Sequence, residues 1–220
     1  MFLHGYLSSK EAFAAQVAYF ARFYRVTAID FIGQGKSVPL SSAYSVDDYA
    51  AWTEQVLESL GVQSPWLIAH SFGCRVAIKM AKRGKFSPEK MVLTGPAGVV
   101  LPRGAKYYRR VRAYRLVKKL APRFAEKHFG SAEYKTLSPI MRESYKKIVN
   151  EDLRGDAACI RGKVLMIVGR EDRVTPLAEA EAYLAVMRDA RIAMMDGDHF
   201  AFAQHPLAFN MIVEEFLQNV

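Results

Sequence analysis

Cysteine is scarce in this chain: 220 residues hold only Cys74 and Cys159, with no C-x-x-C pair and no metal-ligand spacing. That excludes a disulfide framework and a cysteine-bound metal, and both thiols are expected as buried small apolar groups. Long apolar runs are absent too. None approaches the roughly 18 to 20 residues that cross a bilayer, and the N-terminus lacks a basic region followed by a long apolar stretch; a cytoplasmic location is the expectation. Internal repeats and low-complexity tracts are missing, which argues against solenoid and disordered classes. Acidic residues are outnumbered, 22 against 31, for a net charge of +9. The shortage is local: residues 103–147 hold 14 Lys or Arg against 3 Asp or Glu, and the remainder 17 against 19. A chain-wide basic surface is therefore lacking. With no nucleic-acid motif beside the basic stretch, nucleic acid is disfavoured as a partner.

What the chain does have is alternation. Residues 1–3 are the stub of an apolar strand, and His4-Gly5-Tyr6-Leu7 is the turn leaving it. Ser8-Ser9-Lys10-Glu11 reads as a capping box, with Phe13, Val17 and Phe20 following at helical spacing. A strand over 24–29 leads into Asp30-Phe31-Ile32-Gly33-Gln34-Gly35-Lys36-Ser37, a loop whose glycines allow positive φ. Ser45 opens a helix carrying Trp52, Val56, Leu57 and Leu60 that stops at Gly61. Strands over 66–70 and 90–94 come next, and the pattern breaks after Val100. Residues 102–150 show no strand; Tyr107, Val111, Tyr114, Val117 and Ala121 form one stripe of a helix, and the stretch reads as a helical lid, or cap, inserted over the carboxyl edge of the sheet. Alternation resumes with a strand over 164–168, a helix with Thr175 as N-cap and Pro176 at its first position, a strand over 191–195 and a closing helix over 206–220. Strand–helix alternation predicts an α/β fold, a mostly parallel sheet with helices on both faces. Its core is expected from residues 1–101 and 151–220, around the 102–150 insertion.

Chemistry concentrates where three strands end. Trp66-Leu67-Ile68-Ala69-His70-Ser71-Phe72-Gly73-Cys74-Arg75 is an apolar strand, a turn and a helix start, with small residues two places either side of Ser71. In that context Ser71 is the nucleophile of a strained elbow, and the free N–H groups of the following helix lie where an oxyanion would form. Asp172 falls just past the 164–168 strand and His199 just past the 191–195 strand. Residues beyond the ends of parallel strands converge on one edge, so the three can meet, in the order Ser, Asp, His.

These residues resemble the α/β-hydrolase superfamily over nearly the whole chain. The resemblance rests on His4-Gly5 before an aromatic residue, Asp30-x-x-Gly33-x-Gly35-x-Ser37, Ala69-His70-Ser71-Phe72-Gly73, Gly169-x-x-Asp172 and Gly197-Asp198-His199. It implies a small serine hydrolase with Ser71 as nucleophile, His199 as base, Asp172 as orienting acid, and the backbone N–H groups of Tyr6 and Phe72 as oxyanion hole. Two departures stand out: Ala69 occupies the first elbow glycine position, and the family's first two strands are missing, from which the natural start is expected upstream of Met1. His70 is expected to pack or hydrogen-bond away from the nucleophile, His4 to orient the oxyanion loop, and His128 and His205 to lie at the surface or in caps. Asp30 is expected to fix its loop, and Glu171, Asp196 and Asp198 to be solvated.

The expected reaction is hydrolysis of an ester, thioester or amide of a small molecule through an acyl-enzyme, with no metal or organic cofactor. The alternatives are a cofactor-free lyase or C–C bond hydrolase using the same triad, and a ligand-binding member of the fold without turnover. The basic stretch reads first as a solvated helical face; beyond that, a lid favouring an anionic substrate is the functional expectation, and an amphipathic lid resting on anionic lipid is the lesser reading.

Overall fold

Side chains along the strands alternate between two apolar cores, one on each face of a single sheet. The computed structural model describes residues 1–102, 104, 109, 111–112 and 136–219. Six strands, β1 (Phe2–Leu3), β2 (Ala28–Ile29), β3 (Leu67–His70), β4 (Lys90–Thr94), β5 (Lys163–Gly169) and β6 (Ala190–Met195), pair in the order β2-β1-β3-β4-β5-β6. Every pair is parallel, so every strand end carrying chemistry points to one edge. Leu3, Leu67, Ala69, Met91, Leu93, Val164, Met166 and Val168 face one core, whereas Phe2, Ile68, Val92, Leu165 and Ile167 face the other. This is the period-2 geometry of a strand covered on both sides.

The first core is closed by α2 (Val46–Ser59), α3 (Phe72–Arg83), α4 (Pro139–Val149), α5 (Arg154–Ala157) and α6 (Leu177–Leu184). The second is closed by α1 (Ala14–Phe20), α7 (Ala201–Gln204) and α8 (Pro206–Gln218). Tyr49, Phe31 and Phe72 pack edge-to-face in the first core at centroid separations of 5.0 to 5.8 Å, a geometry worth about 0.5–1.5 kcal/mol per pair beyond burial. Ser45 caps α2 in a reciprocal box with Asp48, as serine followed three residues later by an acid should.

Some local expectations are corrected. The first helical turn is a 3₁₀ segment, Lys10–Phe13, whose N-cap position is Ser9 and makes no side-chain cap bond. Asp30 Oδ1 takes the Lys10 amide at 2.7 Å, so a distant carboxylate, not Ser8, supplies the acceptor there. The strand expected over 24–29 is only Ala28–Ile29. Cys74 is buried, but Cys159 is exposed, because it follows the short α5 at the surface. In the insertion Arg109, Val111 and Arg112 are helical; the rest of the helix expected through 107–121, and His128, lie outside the described residues.

The described return of the insertion is tied to the core. Met141 and Ile148 of α4 are buried in the first core. Arg75, itself only 9% exposed, donates from Nη1 to the carbonyls of Ile148 and Glu151, 3.0 Å each, and so caps the C-terminal end of α4 with a cation. The chain leaving β4 and the chain returning from α4 also bond to each other: Leu153 N–H donates to Gly98 O at 2.8 Å, and Val100 N–H to Asp152 Oδ2 at 3.2 Å.

Candidate active site

Between β3 and α3 the chain must turn within one residue, and Ser71 takes the strain. Its φ of +50° and ψ of −108° lie outside the regions open to ordinary L-residues. Its N–H donates to Thr94 O at the end of β4, 3.0 Å away, which fixes the turn against the neighbouring strand. The tightness explains Gly73: a Cβ there would lie 2.2 Å from Leu3 O, and that obstacle is main chain that no rotamer change can move. The Ser71 side chain makes no hydrogen bond among the described residues and is partly exposed.

The histidine and the acid reach the same edge. His199 Nδ1 lies 2.9 Å from Asp172 Oδ2, both side chains buried. His199 sits over Gly95, where a Cβ would come 3.0 Å from its Nδ1 and Cε1, and Gly95 directly follows the Thr94 carbonyl that holds Ser71. Asp172 Oδ1 accepts the N–H groups of Val174 and Thr175 at 2.8 and 2.9 Å. Burial alone would raise the Asp172 carboxyl; the bonds from His199 and Thr175 outweigh it and hold the group below its ordinary value. It is therefore ionised, the state in which it accepts from an imidazole.

Two further amides complete the edge. Phe72 N–H is the first of α3 and Tyr6 N–H lies in the loop after β1; neither has an acceptor among the described residues. A helix's first N–H groups have no intrahelical partner and carry its positive end. The Tyr6 loop is held from four sides. His4 donates from Nδ1 to Gly5 O at 2.7 Å and accepts Phe31 N–H on Nε2 at 3.1 Å, an assignment consistent with burial lowering its pKa and keeping it neutral. Leu7 N–H donates to Gln34 Oε1 at 2.7 Å, and Tyr6 Oη to Met141 O of α4 at 3.2 Å. Asp30 accepts Lys10 N–H and Lys36 N–H, which fixes the glycine loop that carries Gln34.

The structure thus brings Ser71, Asp172, His199, Tyr6 and Phe72 to one sheet edge. His70 points the other way, with Nε2 2.9 Å from His199 O and its ring 4.7 Å from that of His199. Burial pushes it down to about 3, so it is neutral and braces the backbone of its neighbour. Asp198 accepts Phe200 N–H and Asp196 pairs with Arg170 at the surface, Glu171 is exposed, and His205 is an exposed cap of α8.

Thr175 is not a helix cap: α6 starts at Leu177 with Pro176 as N-cap. Thr175 Oγ1 instead donates to Asp172 Oδ2 at 2.8 Å and lies 3.1 Å from His199 Nδ1. A threonine followed by proline carries the same local signal for either role, so sequence reading missed it. Gln34 was missed because a loop glutamine has no marker for the partner it reaches.

Chemically, an imidazole held on one nitrogen by an ionised carboxylate presents its other nitrogen as a base, and two unpaired amides beside a serine suit a developing oxyanion. Among the described residues no cluster of His, Cys, Asp or Glu is arranged to hold a metal.

The comparisons with known proteins agree in fold and family. The chain is 27% identical over 218 residues to 2-hydroxymuconate semialdehyde hydrolase of Pseudomonas putida, which covers 88% of this chain and 76% of that one. It is 32% identical over 129 residues to a probable lysophospholipase, BODYGUARD 3, of Arabidopsis thaliana; that match covers 56% of this chain and only 25% of the relative. Its fold is similar to that of an esterase from Exiguobacterium antarcticum, with a TM-score of 0.77 at 20% identity over 99% of this chain and 91% of the other. The model of the alpha/beta hydrolase family matches residues 1–211: the chain belongs to that family.

Proposed function

We propose that the chain is a serine hydrolase acting on an ester, thioester or amide of a small molecule. The observation that carries this reading is the 2.9 Å bond between His199 Nδ1 and Asp172 Oδ2 beside a serine held at positive φ. Ser71 Oγ attacks the carbonyl carbon while His199 Nε2 takes its proton. The Tyr6 and Phe72 amides receive the oxyanion. The imidazolium then protonates the leaving group, and water repeats the cycle on the acyl-serine. Asp172 fixes the imidazole and stabilises its charge; each oxyanion donor contributes about 3–4 kcal/mol to lowering the barrier.

The test is labelling of Ser71 by a fluorophosphonate, together with hydrolysis of p-nitrophenyl esters of graded acyl length by wild type, Ser71→Ala and His199→Ala. Labelling lost in both variants and turnover falling by about 10⁴-fold or more supports the reading. Neither labelling nor turnover on any ester would favour the ligand-binding alternative, and turnover without an acyl-serine the lyase or C–C hydrolase alternative, for which the 27% identity to a semialdehyde hydrolase is the supporting observation.

A further inference from the structure

Three polar atoms form a closed triangle behind the candidate base. Thr175 Oγ1 is 2.8 Å from Asp172 Oδ2, Asp172 Oδ2 is 2.9 Å from His199 Nδ1, and Thr175 Oγ1 is 3.1 Å from His199 Nδ1. Thr175 is 3% exposed, so water does not compete for these bonds. We propose that Thr175 is a positioning residue that selects the imidazole tautomer of His199, a role that rests on the hydrolase reading above.

A threonine hydroxyl has one proton and two lone pairs. Asp172 is ionised and its Oδ1 is filled by the Val174 and Thr175 amides, so the hydroxyl proton goes to Oδ2, the stronger acceptor. That choice turns an Oγ1 lone pair toward His199 Nδ1. A protonated Nδ1 then meets two acceptors, Oδ2 and Oγ1. A bare Nδ1 would meet two sets of lone pairs and no donor, an unsatisfied buried arrangement that costs about 1–3 kcal/mol. The proton is therefore confined to Nδ1 and the lone pair to Nε2, the side that must accept from Ser71. The carboxylate alone would favour the same tautomer; the hydroxyl adds a second acceptor and blocks rotation of Asp172, whose two oxygens are then both engaged.

The site is built to keep this hydroxyl in place. A Cβ on Gly95 would lie 3.3 Å from Thr175 Oγ1 and 3.0 Å from His199 Nδ1, so the absence of a side chain at 95 leaves room for the triangle. Pro176, the N-cap of α6, follows directly and restricts Thr175 to extended backbone. The Thr175 amide is spent on Asp172 Oδ1, which ties backbone and side chain of one residue to the two oxygens of the acid.

The experiment compares Thr175→Val, which keeps the shape without the hydroxyl, with Thr175→Ser, which keeps the hydroxyl. Histidine ring ¹⁵N shifts, with His199 assigned against His199→Gln, report the tautomer without any substrate. p-Nitrophenyl butyrate kinetics report kcat and KM separately. Because the Asp172 carboxylate remains, Thr175→Val should keep Nδ1–H as the majority tautomer but raise the Nε2–H fraction above that of wild type, with a kcat lowered about tenfold and KM within about twofold. Thr175→Ser should restore both. Should Thr175→Val fail to fold, Thr175→Ala takes its place under the same readouts. A tautomer ratio and kcat both unchanged from wild type in Thr175→Val or Thr175→Ala overturn the proposal and leave Thr175 a packing residue. A Thr175→Ser protein as impaired as Thr175→Val also overturns it, because the methyl would then be the active part. If wild type hydrolyses no ester at all, the ¹⁵N comparison still decides the role of Thr175, and only the hydrolase reading falls.

Discussion

Leu7 and Ser71 are the two non-glycine residues at positive φ among the described residues, at +57° and +50°, and each adjoins one of the two unpaired amides: Leu7 follows Tyr6, and Ser71 precedes Phe72. Strain is thus concentrated where the N–H groups are aimed. Such backbone costs on the order of 1–3 kcal/mol per residue and persists only where the surroundings enforce it.

Replacing Ser71 with glycine should therefore stabilise the fold while abolishing turnover. Glycine accepts this backbone without clash, and after its greater unfolded-state entropy is set against the relief, about 1 kcal/mol should remain. Ser71→Ala keeps the strain and should match wild type. Urea unfolding of the three proteins measures this; equal midpoints for Ser71→Gly and Ser71→Ala would remove the strain from the account.

Gln34 is buried and its Oε1 holds Leu7 N–H at 2.7 Å. Gln34→Ala leaves that amide without its acceptor and frees the loop that carries the Tyr6 N–H. A fall of about tenfold in kcat with little change in KM is expected, since the interaction serves the transition state. Steady-state kinetics on a p-nitrophenyl ester check it, and a change confined to KM would place the loop in binding instead.

Glu179 sits behind the loop after β4 with the Gly98 and Val99 amides and Arg75 nearby, yet burial raises its carboxyl from 4.5 to about 7, aided by Asp172. A raised acid holds its proton longer when folded than when unfolded, so stability falls as pH rises between about 4.5 and 7. Glu179→Gln should flatten the slope of unfolding free energy over that window. Asp172 acts in the opposite sense: its folded value is lowered, so its contribution is complete above the unfolded carboxylate range and is lost as pH falls through its folded value. Chemical denaturation at a series of pH values reads both, and an unchanged slope in Glu179→Gln would rule out this carboxyl as its source.

The basic stretch predicts a preference for anionic substrates. Arg109 and Arg112 are exposed on the described part of the insertion, and at low ionic strength they should favour an anionic ester over a neutral one of matched size. The advantage should vanish near 0.5 M salt, where the screening length falls to about 4 Å, and in Arg109→Glu/Arg112→Glu. Equal kcat/KM for both esters under every condition would mean that the charges serve solvation alone.

The elements that sequence made legible are those with a short-range signature. Alternation of apolar strands with capped helices was enough for the parallel sheet, and small residues around Ser71 for the turn. Asp172 and His199 were readable because parallel strands send their ends to one edge. Thr175, Gln34 and Arg75 were not, for one shared reason: each acts through a partner distant in the chain or through a bond whose local alternative was equally plausible. Thr175 beside Pro176 resembles a helix start, and Arg75 resembles a surface cation, although it is buried and donates to two carbonyls 73 and 76 residues away. Ser8 misled in the other direction: the turn that follows is 3₁₀ with Ser9 at its N-cap position, and the Lys10 amide goes to Asp30.

The Leu153 N–H to Gly98 O bond and the Val100 N–H to Asp152 Oδ2 bond close the base of the excursion between them. With its two ends stapled, a change of length ahead of α4 adds a loop-closure cost of about 0.6 kcal/mol for each doubling, whereas α4 itself is held by Met141 and Ile148 in the core and by Arg75 at its end. An exchange of the stretch ahead of α4 therefore has to spare α4, because the Met141 carbonyl holds the Tyr6 hydroxyl beside the unpaired Tyr6 amide.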